Sequence, residues 1–229
     1  MRITTLTLTR LAAASAVLAG LLYILIQFVH PADVVASLST PQWAVVHVLS
    51  FVEAILALIG ITGIYLREVR RSGVPGFIGY ALFGIFFVLQ AAFNFAEAFI
   101  APLFVADAPQ VSTDIVGLFG RYDPVSDLGP LAALPSIGGL LYVGGALLFG
   151  VAVIRARVLS RGAGILLIVA AAVTPVAGAI LPHTLERMAA VPMGLALIWL
   201  GYSLWSDQRT SSSVPPAPVT DTPAKPAPA

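Results

Sequence analysis

Gln90, Asn94 and Glu97 are spaced by four and then three residues, so on a helix they share one face. They lie in a run from Ser72 to Ala106 in which Glu97 is the only charged residue. A carboxylate in hydrocarbon costs roughly 2.5–3.5 kcal/mol on insertion scales, so it belongs in a bundle interior or beside a wet cavity. The chain has three histidines, His30, His47 and His183. His30, His47, Glu97 and His183 offer the donor types that a divalent metal takes from Zn²⁺, Fe or Cu chemistry. Two of the imidazoles could instead hold a haem iron axially, a weaker fit. Without a metal, the same groups read as a ligand site or proton relay, because imidazole titrates near neutral pH. In that reading Glu97, His47, Asn94, Gln90 and Glu53 line a pocket for a small ligand.

Each residue also has a structural role open to it. His30 and His183 adjoin Pro31 and Pro182, where a helix would end, and suit capping or interfacial positions. Trp43 precedes His47 by one turn, so the two could form an interfacial pair. Glu97 could hydrogen-bond to His47, a serine or a tyrosine across helices. Glu53 could be neutral and bonded to Ser50 or to a neighbouring helix.

Positioning these groups requires long apolar helices. The chain has 229 residues, 59% hydrophobic and 10% charged, against about 25% charged in a soluble domain. The shortfall points to an all-α, polytopic transmembrane bundle. Charge-poor windows give six spans, at about residues 11–29, 42–66, 77–105, 131–154, 162–181 and 188–205, each near the ~20 residues a crossing needs. The first follows Arg2 and Arg10 but is longer than the ~7–15 apolar residues of a signal peptide, and reads as an uncleaved helix. Residues 1–206 thus form one transmembrane domain. Residues 107–130 form its one long loop, aqueous and partly ordered, and residues 207–229, rich in Pro and Ala, read as a disordered tail.

With six spans, Arg2, Arg10, Arg67, Arg70, Arg71, Arg155, Arg157, Arg161, Arg209 and Lys225 fall on one side, ten of the twelve cations. Only Arg121 and Arg187 fall on the other. The positive-inside rule then places both termini in the cytoplasm, in a multi-pass protein of the cell membrane. All three histidines and Glu97 collect in the outer half of the bilayer.

The remaining features exclude more than they assign. Cysteine is absent, which removes disulfides, thiolate metal sites and Cys nucleophiles. No basic patch suits nucleic acid, so the partner is the lipid bilayer. No Walker loop, dinucleotide-binding glycine pattern, H-E-x-x-H or G-x-S-x-G is present, so the reading leans away from an enzyme. Gly138, Gly139, Gly144, Gly145 and Gly150, with Ala146 and Gly150 as a small-xxx-small pair, suggest close helix packing or a homo-oligomer face. The outward-running spans end at His30-Pro31, Ala101-Pro102 and Pro182-His183, a regularity consistent with three repeated hairpins.

The run Phe28-Val29-His30-Pro31, then Trp43-x-x-x-His47, then Glu97-Ala-Phe-Ile-Ala-Pro102 resembles small six-helix bacterial membrane proteins with no assigned activity. The resemblance implies the bundle and a bacterial membrane, and carries over no chemistry. The expectation is an integral membrane protein with an outward-facing His/Glu pocket for a small ligand or metal. The alternatives are a metal-dependent membrane enzyme or redox protein, and a structural or accessory subunit.

Overall fold

The fold is described from a computed structural model covering residues 3–120 and 124–212, with the side chains of residues 183, 184 and 208–212 excepted. Among these residues there is no strand. Eight α-helices follow in order: α1 Thr5–Val29, α2 Val35–Leu38, α3 Pro41–Phe95, α4 Pro109–Gly120, α5 Leu134–Ala156, α6 Arg161–Ile180, α7 His183–Glu186 and α8 Val191–Ser212. Five helical stretches among the described residues are long and apolar enough to cross a membrane. One of them, Pro41–Phe104, has 64 residues and would reach ~96 Å if straight, about three hydrocarbon thicknesses.

That stretch is folded in two. Thr40 caps its start, the hydroxyl accepting from Trp43 N at 3.2 Å, with Pro41 at the first helical position where its missing N–H costs nothing. Gly73 then breaks the helix at φ 60°, ψ −164°, a backbone conformation open essentially to glycine alone. Pro75 follows and prevents direct continuation. The arms on either side meet antiparallel. Phe51 lies by Phe95, Glu53 by Gln90, and Thr62 by Tyr80, pairs whose midpoints fall between Arg71 and Gly73. The charge pattern of Arg67, Arg70 and Arg71 locates this turn in the sequence, and the glycine makes it.

The bundle closes as a ring. The first arm of α3 packs on α1, α1 on α8, α8 on α6, α6 on α5, and α5 on the second arm of α3. Its seams are built from small residues, as expected where lipid supplies no hydrophobic drive to association. Ala12 and Ala16 of α1 sit against Gly63 and Gly60. A Cβ on Gly145 would strike the backbone of Phe83 at 2.5 Å, and one on Gly150 the carbonyl of Gly164 at 2.9 Å. These two glycines of the expected homo-oligomer face therefore pack within the chain. Gly138 and Gly139 instead have open space before them.

Outside, the bundle carries large apolar side chains in the open, among them Leu21, Ile85, Leu140, Val169, Ile180 and Leu195. A patch of that extent on a soluble monomer would be an aggregation surface; here it fits a hydrocarbon solvent. One end of the bundle gathers the start of α1, the Gly73 turn, the α5–α6 loop and the end of α8. Arg67 bonds Asp207 there at 2.5 Å, and a Glu68 oxygen accepts from Leu159 N at 3.3 Å.

At the other end, the loop expected over residues 107–130 contains a helix, α4. Val111, Ile115, Val116 and Phe119 recur at helical spacing and give it an apolar side. Val116 packs with Leu38, Trp43 and Ala101 in a second small core. Ser112 donates to the Ala101 carbonyl at 2.9 Å. Asp114 accepts from Val125 N at 2.5 Å and Ser126 N at 3.3 Å, tying the chain back after α4. Residues 213–229 of the expected disordered tail lie outside the described residues, whereas α8 itself continues to Ser212.

Candidate functional site

The second arm of α3 ends in a change of helical pitch. Ala96–Ile100 is a π-helical turn, closed by Ala101 N–H to the Ala96 carbonyl. Pro102 follows and has no N–H with which to continue the ladder. Such single π turns recur at functional sites because the extra residue re-aims side chains and loosens carbonyls. Here Trp43 Nε1 donates to the Glu97 carbonyl at 2.9 Å, and the Glu97 side chain turns into the bundle, 7% exposed.

Its partner is His47. Glu97 Oε2 lies 3.3 Å from His47 Nε2. His47 Nδ1 faces the Trp43 carbonyl at 2.9 Å, and a carbonyl can only accept, so Nδ1 carries a hydrogen. Nε2 is thereby left to share a proton with the carboxyl. The contact needs one proton, on either atom. Trp43 stacks on the imidazole with ring centres 3.9 Å apart and fixes its plane. Trp43 is wholly buried under α2 and α4, not interfacial.

His30 stands edge-on to His47, ring centres 5.1 Å apart, outside this pair. Its Nδ1 donates to the Pro31 carbonyl at 2.8 Å. Burial lowers the His30 imidazole to about 4; the Pro31 bond opposes this, the Arg187 guanidinium adds to it, and Asp33 opposes again. His30 is therefore neutral at physiological pH. Arg187 clamps this corner from the 3-10 turn before α8, bonded to Asp33 and to the Pro31 carbonyl.

Deeper in the bundle, Gln90 donates to Glu53 Oε2 at 2.7 Å. Glu53 is 1% exposed, and its Oε1 has no partner among the described residues; neither does Gln90 Oε1. Asn94 donates to its own helix at the Gln90 carbonyl.

In front of the polar stripe is a cavity of about 360 Å³. Gln90, Asn94 and Glu97 form one wall, and Tyr23, Tyr142 and Thr174 supply hydroxyls opposite. Tyr142 and Thr174 hydroxyls are 3.1 Å apart, and Tyr23 bonds Tyr142. Phe86, Phe93 and Phe119 supply aromatic faces, while Gly138 and Gly139 leave room where α5 would otherwise intrude. Phe119 belongs to α4 and packs on Phe93 at 4.5 Å.

The structure thus brings Gln90, Asn94 and Glu97 to one cavity, sets His47 behind Glu97, and pairs Glu53 with Gln90. His30 touches His47 and not Glu97. Among the described residues no three His, Asp or Glu side chains converge as a metal site. Both ring nitrogens of His47 face protein partners, Nδ1 the Trp43 carbonyl and Nε2 the Glu97 carboxyl. The side chain of His183, the fourth member of the expected metal set, lies outside the described residues.

Tyr23, Tyr142, Thr174 and Phe119 are the residues that sequence reasoning missed. Tyr142 reads from sequence as an ordinary interface or core aromatic, and only Phe119 leaves a signal, in the periodicity of α4. Comparison with protein-family models, curated proteins and solved structures gives no match, so the resemblance stands on its three short motifs alone.

Proposed function

We propose that this is a six-crossing protein of the bacterial cytoplasmic membrane, both termini inside, whose outer half binds a small organic cation. The carrying observation is the position of Glu97, with the cavity on one side and His47 on the other. A carboxylate ringed by Phe86, Phe93, Phe119, Tyr23 and Tyr142 suits a ligand with an apolar body and a cationic head, since aromatic faces and an acid both attract positive charge. The head would take Glu97 while the body rests against the phenylalanines.

The His47–Glu97 contact gives binding a second consequence. The resting pair holds one shared proton and has no net charge. A cation that takes the carboxylate leaves His47 neutral and releases that proton. Binding and deprotonation are thereby one event.

The test uses benzyltrimethylammonium and its uncharged isostere neopentylbenzene, titrated into protein in nanodiscs of neutral lipid. A W199F/W205F background leaves Trp43, stacked on His47, as the only tryptophan reporter. Saturable quenching by the cation alone is expected, lost in E97Q and in Gly139→Leu, which fills the cavity without touching the pair. Equal response to the isostere, or undiminished binding in both variants, overturns the reading and leaves Glu97 a structural tie between helices.

A further inference from the structure

The opposite end of the bundle holds a larger opening. Where Gly63 meets Ala12, α1 and the first arm of α3 are in contact. Beside this contact, toward Thr5 and Arg71, lies a cleft of about 1050 Å³. Its floor is apolar, built from Leu8, Ala12, Ile59 and Leu66. Its rim is basic, with Arg67, Arg70, Arg71 and Arg157 all lining it.

These cations are not equivalent. Arg67 is bonded to Asp207 at 2.5 Å. Arg70, Arg71 and Arg157 are exposed and have no acidic partner among the described residues. The other acid lining the cleft besides Asp207, Glu68, is 1% exposed and turned to the α5–α6 loop, where it accepts from Leu159 N. That bond pins the loop carrying Arg157, whose left-handed backbone at φ 55° ends α5. Two arginines from the Gly73 turn and one from the α5–α6 loop thus border one opening. The apolar floor runs from Arg67 back to Leu58, about 14 Å along the helix.

We infer that this cleft binds one anionic phospholipid, its phosphate on Arg70, Arg71 and Arg157 and an acyl chain along Leu8, Ile59 and Leu66. The charge matches a phosphodiester, and guanidinium groups bind such oxygens as bidentate forks. The floor matches a hydrocarbon chain and nothing about a free anion. Basic pockets between transmembrane helices on the cytoplasmic side recognise anionic headgroups in this way. The site is independent of the outer cavity and needs only that the bundle sit in a membrane.

Native mass spectrometry of the full chain released from detergent tests it, with phosphatidylglycerol, phosphatidylcholine of the same acyl chains, and inorganic phosphate as probes. One phosphatidylglycerol is expected to bind in preference to phosphatidylcholine. Removing two of the charges in R70Q/R71Q should weaken it roughly 30-fold, and R70K/R71K should restore most of that loss. Leu8→Trp, which fills the floor and leaves every arginine in place, should exclude the lipid as well. Equal binding of both lipids, indifference to R70Q/R71Q, or displacement of the lipid by inorganic phosphate would each overturn the assignment. Melting temperatures of the variants in lipid-free detergent, expected within a few degrees of wild type, separate loss of the site from loss of the fold.

Discussion

His47 Nε2 and Glu97 Oε2 lie 3.3 Å apart, and the other imidazole nitrogen is committed to the Trp43 carbonyl. The pair can hold one proton and can lose it, but His47 cannot turn to another tautomer without breaking the Trp43 bond. If a cation displaces that proton, its affinity rises with pH, by up to about tenfold per unit while the pair is protonated. Calorimetry of benzyltrimethylammonium in buffers of different ionisation enthalpy should register close to one proton released. A heat independent of buffer would refute the coupling.

His30 carries a separate pH dependence. Its folded value, about 4, lies below the ordinary value near 6.5. The unfolded chain therefore binds the proton more readily, so the stabilisation is complete above about 6.5 and is lost as pH falls toward 4. The loss should amount to a few kcal/mol. Wild-type protein should melt at progressively lower temperature between those limits, and His30→Phe, which keeps the ring against Trp43 and His47, should show a flatter profile. Parallel profiles would assign the acid sensitivity elsewhere.

Glycines of equal appearance in sequence should respond unequally to a methyl group. Gly73→Ala forces a side chain into φ 60°, ψ −164° and should cost on the order of 1–3 kcal/mol. Gly145→Ala meets the Phe83 backbone and should cost at least as much. Gly138→Ala meets nothing within 4 Å and should be close to neutral. Unfolding in a detergent series would rank them, and a Gly138→Ala defect as large as that of Gly73→Ala would contradict the packing described.

Asp114 ties the chain after α4 back to that helix. Burial pushes its carboxyl up, yet the Ser126 hydroxyl and the backbone N–H groups of Val125 and Ser126 outweigh this and leave it below the ordinary value. Asp114→Ala should therefore speed amide exchange across α4 several-fold at neutral pH. Wild-type protein should lose the same protection, measured against the intrinsic exchange rate at each pH, only in strong acid, once Asp114 is protonated. Unchanged exchange in the variant would show that Val116 and Ser112 hold α4 by themselves.

Much of this arrangement was legible in the chain. Apolar runs marked the long helices, and Arg67, Arg70 and Arg71 marked the turn of α3 without showing that one residue makes it. The spacing of Gln90, Asn94 and Glu97 gave a shared face, and that face does line a cavity. The opposite wall left no comparable trace. Tyr23, Tyr142 and Thr174 come from three helices, and their convergence depends on packing angles set by small residues rather than on any local pattern. The π turn was equally silent, because Pro102 permits it without requiring it. Depth along a helix leaves rotation about it free: His30 meets His47 with its ring edge while its Nδ1 turns to the Pro31 carbonyl, and the His183 side chain lies outside the described residues.

The turn at Gly73 has a bearing on biosynthesis. His47 and Glu97 sit on neighbouring arms of one hairpin, so a nascent chain reaching Phe104 already contains both. Tyr142 and Thr174, which complete the far wall begun by Tyr23, arrive only with α5 and α6. Cysteines placed by F51C and F95C, whose native rings are 6.1 Å apart, should crosslink in ribosome-bound chains halted before α5; crosslinking delayed until α6 emerges would argue against early closure. A cell making this protein would then hold the acid and imidazole together inside the bilayer before any binding chamber exists around them.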